Sequence, residues 1–185
     1  MDDLPSVLRS QRRYEGRVVN LRVDDLRFPD GAEHRIEVVE HVASMAIVAT
    51  PAPGEIVLVR QYRHPAGSQV WEIPAGTAEP GEDPIEGARR ELLEETGYRA
   101  GSIAPIVSLW TTPGFCSEVM HLFHADALVA GEPRFDEDER IEVGTFTFEA
   151  AWRLVAGGVV DAKTLLALLW LQGGGGVLGS DRRRS

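Results

Sequence analysis

Cysteine is nearly absent. Cys116 is the only one among 185 residues, so no intrachain disulfide can form and a disulfide-stapled scaffold is excluded. With no histidine partner implied nearby, Cys116 reads as a bystander and not as a nucleophile. Long apolar runs are also missing: no window approaches the ~18 residues of a membrane span. The opening stretch MDDLPSVLRSQRRYEG lacks the apolar core of a signal peptide. These absences set the expectation of a cytoplasmic protein that does not enter a membrane. Positive charge is scarce too. Lys and Arg number 19 against 29 Asp and Glu, a formal net charge of -10. A nucleic-acid backbone binder needs a basic footprint, so no nucleic-acid partner is expected. An anionic small molecule stays open, because a divalent cation can invert the local field.

What is present suits an ordinary globular chain. It is 43% hydrophobic and 26% charged, enough to bury one core, and its length fits one domain or one domain with an appendage. Residues 14–39 alternate around a Pro-Asp-Gly turn and read as strands. SMAIVAT, EIVLVRQYR and VWEIPAG read as three more strands. A helix is expected from Asp83, with Pro84 at N1 and Glu86 at N3 resembling a capping box. Ile85, Ala88 and Leu92 share its buried face, Glu86 can pair with Arg90, and Gly97 stops it. IAPIVSLWTT, VMHLFHADAL and IEVGTFTF follow as strands, then helices over 149–156 and 161–172. Asp161 caps the second of these. GGGG at 173–176 ends it and is no phosphate cradle, since no helix follows. Trp71 and Trp110 are assigned to the core.

The stretch ARRELLEETGY crowds Glu91, Glu94 and Glu95 within five residues. At helical spacing each like-charge pair costs roughly 0.2–0.5 kcal/mol. Either the patch is a solvated face, or something cationic sits on it. Hard divalent cations want such carboxylate oxygens, and Mg²⁺ retains water and substrate phosphates beside them. The context decides between the two. Gly76, Glu82, Arg90, Glu91, Glu94, Glu95 and Gly97 stand in the order Gly-x5-Glu-x7-Arg-Glu-U-x-Glu-Glu-x-Gly-U, where U is bulky and apolar. Leu92 fills the first U and Tyr98 the last, a mild departure from an aliphatic residue. The stretch resembles the Nudix box and identifies the chain as similar to that hydrolase superfamily. Gly76 is read as permitting a tight turn after EIPA.

The resemblance implies an α/β fold, a Nudix-type α/β/α sandwich around a mixed sheet, preceded by an N-terminal antiparallel β element. It divides the chain into that element at 1–40, used in dimerisation, a hydrolase domain at 41–173 and a tail at 174–185. It implies Mg²⁺ or Mn²⁺ held by Glu91, Glu94, Glu95 and the carbonyl of Ala75. Arg90 then holds carboxylates of the box in place, and Glu82 is structural or a more distant, water-mediated ligand. Pro113 lies sixteen residues past Gly97, and VRQYRHPAGSQVWEIPAG leads into the box. This set resembles the ADP-ribose pyrophosphatase and nucleotide-sugar hydrolase branch. By that likeness Arg63 grips the diphosphate, Glu72 lies near the metals or substrate, and Gly114 and Phe115 line the substrate side. Glu139, or else Glu137, orients the attacking water. The implied reaction is hydrolysis of the diphosphate of ADP-ribose or a related nucleotide sugar, giving AMP and ribose 5-phosphate from ADP-ribose, with a homodimer as the assembly. Another sugar nucleotide such as GDP-mannose, or a non-catalytic nucleotide-sensing module, is the alternative.

Overall fold

The computed structural model describes residues 4–131 and 140–175. The chain divides into two compact units, one of residues 1–43 and 109–120, the other of 44–108 and 121–185.

In the first unit, β1 (Ser6–Glu15), β2 (Asn20–Arg27) and β3 (Glu33–Glu40) form an antiparallel sheet in the order β1-β2-β3. The expected turn joins β2 to β3: Gly31 takes φ 87°, and Asp30 accepts the Ala32 N–H at 2.9 Å. β1 begins eight residues before the first strand read from the sequence. Its residues are nearly all exposed, so no in-out alternation marks it. Among the described residues it pairs on one side only, with β2. Leu4, Val7, Leu8 and Tyr14 are exposed there.

In the second unit, β4 (Ser44–Ala49) is buried along its whole length, which explains its continuous apolar run. It lies in the sheet β7-β4-β9-β8, with β7 (Ala75–Thr77), β8 (Tyr98–Trp110) and β9 (Val119–Ala130). A second sheet, β10-β5-β6, contains β5 (Glu55–Arg63), β6 (Ser68–Glu72) and β10 (Glu142–Thr147). VWEIPAG is therefore two strands and not one. Pro74 has no N–H for a ladder, and the chain changes sheets there. The helices are α1 (Pro84–Thr96), α2 (Phe148–Val155) and α3 (Ala162–Gln172). α1 packs on β4, β5 and β7, and α2 on β5 and β10. Met45, Ile47, Ala49, Val57, Ala88, Leu92, Phe123 and Ala125 form the core beneath α1. Trp71 packs edge-on against Phe146, ring centroids 4.9 Å apart. Trp110, by contrast, is exposed and not in the core. Among the described residues no helix is long and apolar enough to cross a membrane.

Candidate metal and diphosphate site

α1 starts as its sequence dictates. The Asp83 side chain accepts the Ile85 N–H at 2.9 Å, and Pro84 sits where no donor is needed. The capping box is not completed. Glu86 turns to Arg89, 3.8 Å away, and does not pair with Arg90. Gly97 ends the helix at φ 76° with its N–H on Leu93 O, a conformation glycine adopts without strain.

Arg90 has stronger partners. Its Nε and Nη2 donate to the two oxygens of Glu82, each at 2.9 Å, in a bidentate fork. Nη1 donates to Glu91 at 2.8 Å and to Glu94 at 2.9 Å, and Nη2 also reaches Thr77 O at 3.1 Å. One guanidinium thus gathers three of the motif's carboxylates. The fork from Arg90, joined by the Glu79 N–H, pulls the Glu82 pKa down to about 2. The Arg90 pKa is raised in turn, chiefly by Glu82. Both oxygens of Glu82 are engaged in this fork.

Glu95 is only 3% exposed and accepts the Ala75 N–H at 2.9 Å. Gly76 is the next residue, and its reason differs from the turn expected. Its φ is not positive, and it lies inside β7. A Cβ there would fall 2.0 Å from Glu91 Cδ. The glycine lets the Glu91 carboxylate lie directly on the strand. Two helix carboxylates therefore meet the backbone at Ala75–Gly76, which also carries the Ala75 carbonyl.

This donor set suits a hard divalent ion. It is all oxygen, it sits where a Cβ would fill the space, and four carboxylates against one guanidinium leave a formal surplus of negative charge. No three His, Cys, Asp or Glu side chains converge as a ready cage among the described residues. Mg²⁺ does not need one, since it usually binds one or two carboxylates and keeps water and phosphate oxygens.

Arg63, at the end of β5, and Glu72, at the end of β6, are also brought together. Arg63 Nε donates to Glu72 Oε1 at 2.7 Å. Burial lowers the Arg63 pKa, but the Glu72 hydrogen bond and the charges of Glu72, Glu95 and Asp161 raise it overall. Glu72 is 2% exposed, and its other oxygen accepts the Lys163 ammonium. Lys163 was missed in the sequence, although it is the only lysine in the chain. That scarcity was the available signal. Gly114 and Phe115 lie in the β8–β9 connection, in the first unit, where Phe115 O accepts the Val39 N–H at 2.7 Å and the Phe115 side chain is exposed. Glu137 and Glu139 lie outside the described residues.

Comparison with known proteins places the chain in a family. The NUDIX domain family model matches residues 40–169. An ADP-ribose pyrophosphatase of Bacillus subtilis (strain 168) is 41% identical, over 86% of this chain and 88% of its own. A methanol dehydrogenase activator of Bacillus methanolicus is 38% identical over 89% and 91%. A GDP-mannose pyrophosphatase of Cronobacter sakazakii (strain ATCC BAA-894) is 37% identical over 80% and 84%. A solved structure described as an ADP compounds hydrolase superposes with a TM-score of 0.80 over 92% of this chain and 96% of that one, at 24% identity, a likeness of fold. With every fixed residue of the motif in place on β7, on α1 and in the segments that flank the helix, the chain belongs to the Nudix family.

Proposed function

We propose that the protein is a Nudix diphosphatase that hydrolyses ADP-ribose, or a closely related nucleoside diphosphate sugar, to AMP and ribose 5-phosphate. One observation carries the reading: Arg90 and the Ala75–Gly76 backbone together gather Glu91, Glu94 and Glu95 into one patch. Glu91, Glu94, Glu95 and the Ala75 carbonyl would hold Mg²⁺ or Mn²⁺. Such an ion supplies charge neutralisation on the diphosphate and a more acidic water.

The chain's own residues do the rest. Arg90 fixes the direction of the carboxylates through its fork on Glu82. Arg63 is anchored at Nε, which aims its two terminal nitrogens at a diphosphate. Glu72 holds Arg63 in that pose. Glu139 takes the water-orienting role, with Glu137 second. Gly114 and Phe115 belong to the substrate side of this reading. The exposed, one-sided β1 strand with its apolar residues supports a homodimer built through the N-terminal sheet. The cytoplasm is the compartment that goes with this substrate.

The test is a panel of ADP-ribose, GDP-mannose and other sugar nucleotides with Mg²⁺, followed by product analysis. ADP-ribose should give the highest kcat/KM. A preference for GDP-mannose, the substrate in the name of the Cronobacter relative, would move the reading to that substrate. Binding of ADP-ribose without cleavage would replace the enzyme with a sensing module. Glu139→Gln should lower turnover and spare metal binding; if only Glu137→Gln does so, the two roles exchange.

A further inference from the structure

Glu72 is a buried carboxylate with two cationic partners, one on each oxygen. Oε1 accepts Arg63 Nε at 2.7 Å, and Oε2 accepts the Lys163 ammonium. Lys163 is 13% exposed and also meets Asp161 Oδ1 at 3.1 Å. Asp161 in turn accepts the Thr164 N–H at 3.0 Å and the Thr164 hydroxyl at 2.6 Å, while Thr164 Oγ1 accepts the Ile73 N–H at 2.9 Å. The first turn of α3 therefore grips Glu72 and Ile73. These two residues directly precede the Pro74–Ala75–Gly76 segment of the metal site.

Arg63 is treated differently from Arg90. Arg90 spends both Nε and Nη2 on the two oxygens of Glu82. Arg63 meets Glu72 through Nε alone, its one side-chain hydrogen bond among the described residues, and its side chain is 42% exposed. The difference lies in the second oxygen of the acceptor. On Glu82 it is shared between the same arginine and the neutral Glu79 N–H; on Glu72 it is taken by a second cation, Lys163. An undivided buried carboxylate would draw a terminal nitrogen of Arg63 into the same fork that Glu82 draws from Arg90. That nitrogen would then be lost to an anionic ligand.

We propose that Lys163 is a positioning residue: by occupying one oxygen of Glu72 it keeps both terminal nitrogens of Arg63 available to the substrate diphosphate. This rests on the reading of the site given under Proposed function. Lys163 touches neither metal nor substrate in this account. It acts through Glu72 on Arg63.

The experiment is a double-mutant cycle on the full chain with the best substrate of the panel, separating KM from kcat. Lys163→Met should raise KM by about 10-fold, the scale of one charge-assisted hydrogen bond lost to the ligand, with kcat changed by no more than about threefold. Lys163→Arg, which keeps a cation on Glu72, should restore KM to within about threefold. Arg63→Gln should raise KM at least as far, and adding Lys163→Met to it should raise KM little further. If the methionine variant does not fold, Lys163→Gln carries the same prediction with a smaller rise. An unchanged KM in a folded Lys163 variant, or effects that multiply independently with Arg63→Gln, would overturn the proposal. An unchanged KM in Arg63→Gln itself would remove its premise, the diphosphate grip. Absence of cleavage across the whole panel is the separate failure of the hydrolase reading; the cycle then moves to Kd for ADP-ribose, with the same factors expected and the same additivity overturning it.

Discussion

Gly76 and Glu82 show how single residues fix the acidic patch. At Gly76 a methyl group would sit 2.0 Å from Glu91 Cδ, so Gly76→Ala must push the carboxylate off the strand. Misplacement on the scale of an ångström can cost about 100-fold in rate. Gly76→Ala should lower kcat/KM by that order while its Tm falls only modestly; wild-type kcat/KM would show that the Glu91 pose is dispensable. Glu82 makes a pH prediction. Its pKa is about 2 in the folded chain against 4.5 ordinarily, a depressed value, so its contribution is present above pH 4.5 and is lost as pH falls towards 2. Arg90 is partly exposed and solvent screens the fork, so ~1–2 kcal/mol is expected, well under the full shift. Urea unfolding of wild type and Glu82→Gln should differ by that amount at pH 6, and the gap should shrink below pH 4.5 and close only as pH falls through about 2; a gap independent of pH would assign the effect to packing. The spacing of the motif made these residues legible. It did not reveal why Gly76 is glycine, because the approach of Glu91 is a tertiary contact between strand and helix and not a local turn.

At the scale of elements, both α1 and α3 start on an aspartate, but the two caps carry different loads. Asp83 accepts one backbone N–H, from Ile85. Asp161 accepts the Thr164 N–H and hydroxyl and also meets Lys163. Asp83→Ala should therefore cost about 1 kcal/mol, and Asp161→Ala about 2 kcal/mol or more, in chemical denaturation. Equal losses would mean that the α3 network adds nothing beyond the cap. Both caps, the Gly97 stop, and the strands at Ser44–Ala49 and Glu55–Arg63 were readable, because local chemistry and a continuous apolar run set them. What escaped was set by partners distant in sequence. β1 lacks alternation and is defined by its pairing with β2. VWEIPAG divides because its two halves join different sheets. Glu86 lost Arg90 to Glu82, Glu91 and Glu94, which the helix and its preceding loop hold closer.

For the whole molecule, the family and the α/β fold stood in the sequence, since seven fixed residues in order leave little room for chance. The assembly did not. An edge strand can be covered by a second copy or left to solvent. Light scattering should give twice the 20.3 kDa chain mass at micromolar concentration, and a monomer at that concentration would remove the dimer from the account. The central claim is chemical: clustered glutamates bind a divalent ion and cleave a diphosphate. Its most direct test is AMP release from ADP-ribose by metal-stripped protein as Mg²⁺ is added back. The account predicts no AMP before addition, then AMP and ribose 5-phosphate in equal amounts, rising with Mg²⁺ to saturation. Release that is indifferent to Mg²⁺ and to chelator would contradict it.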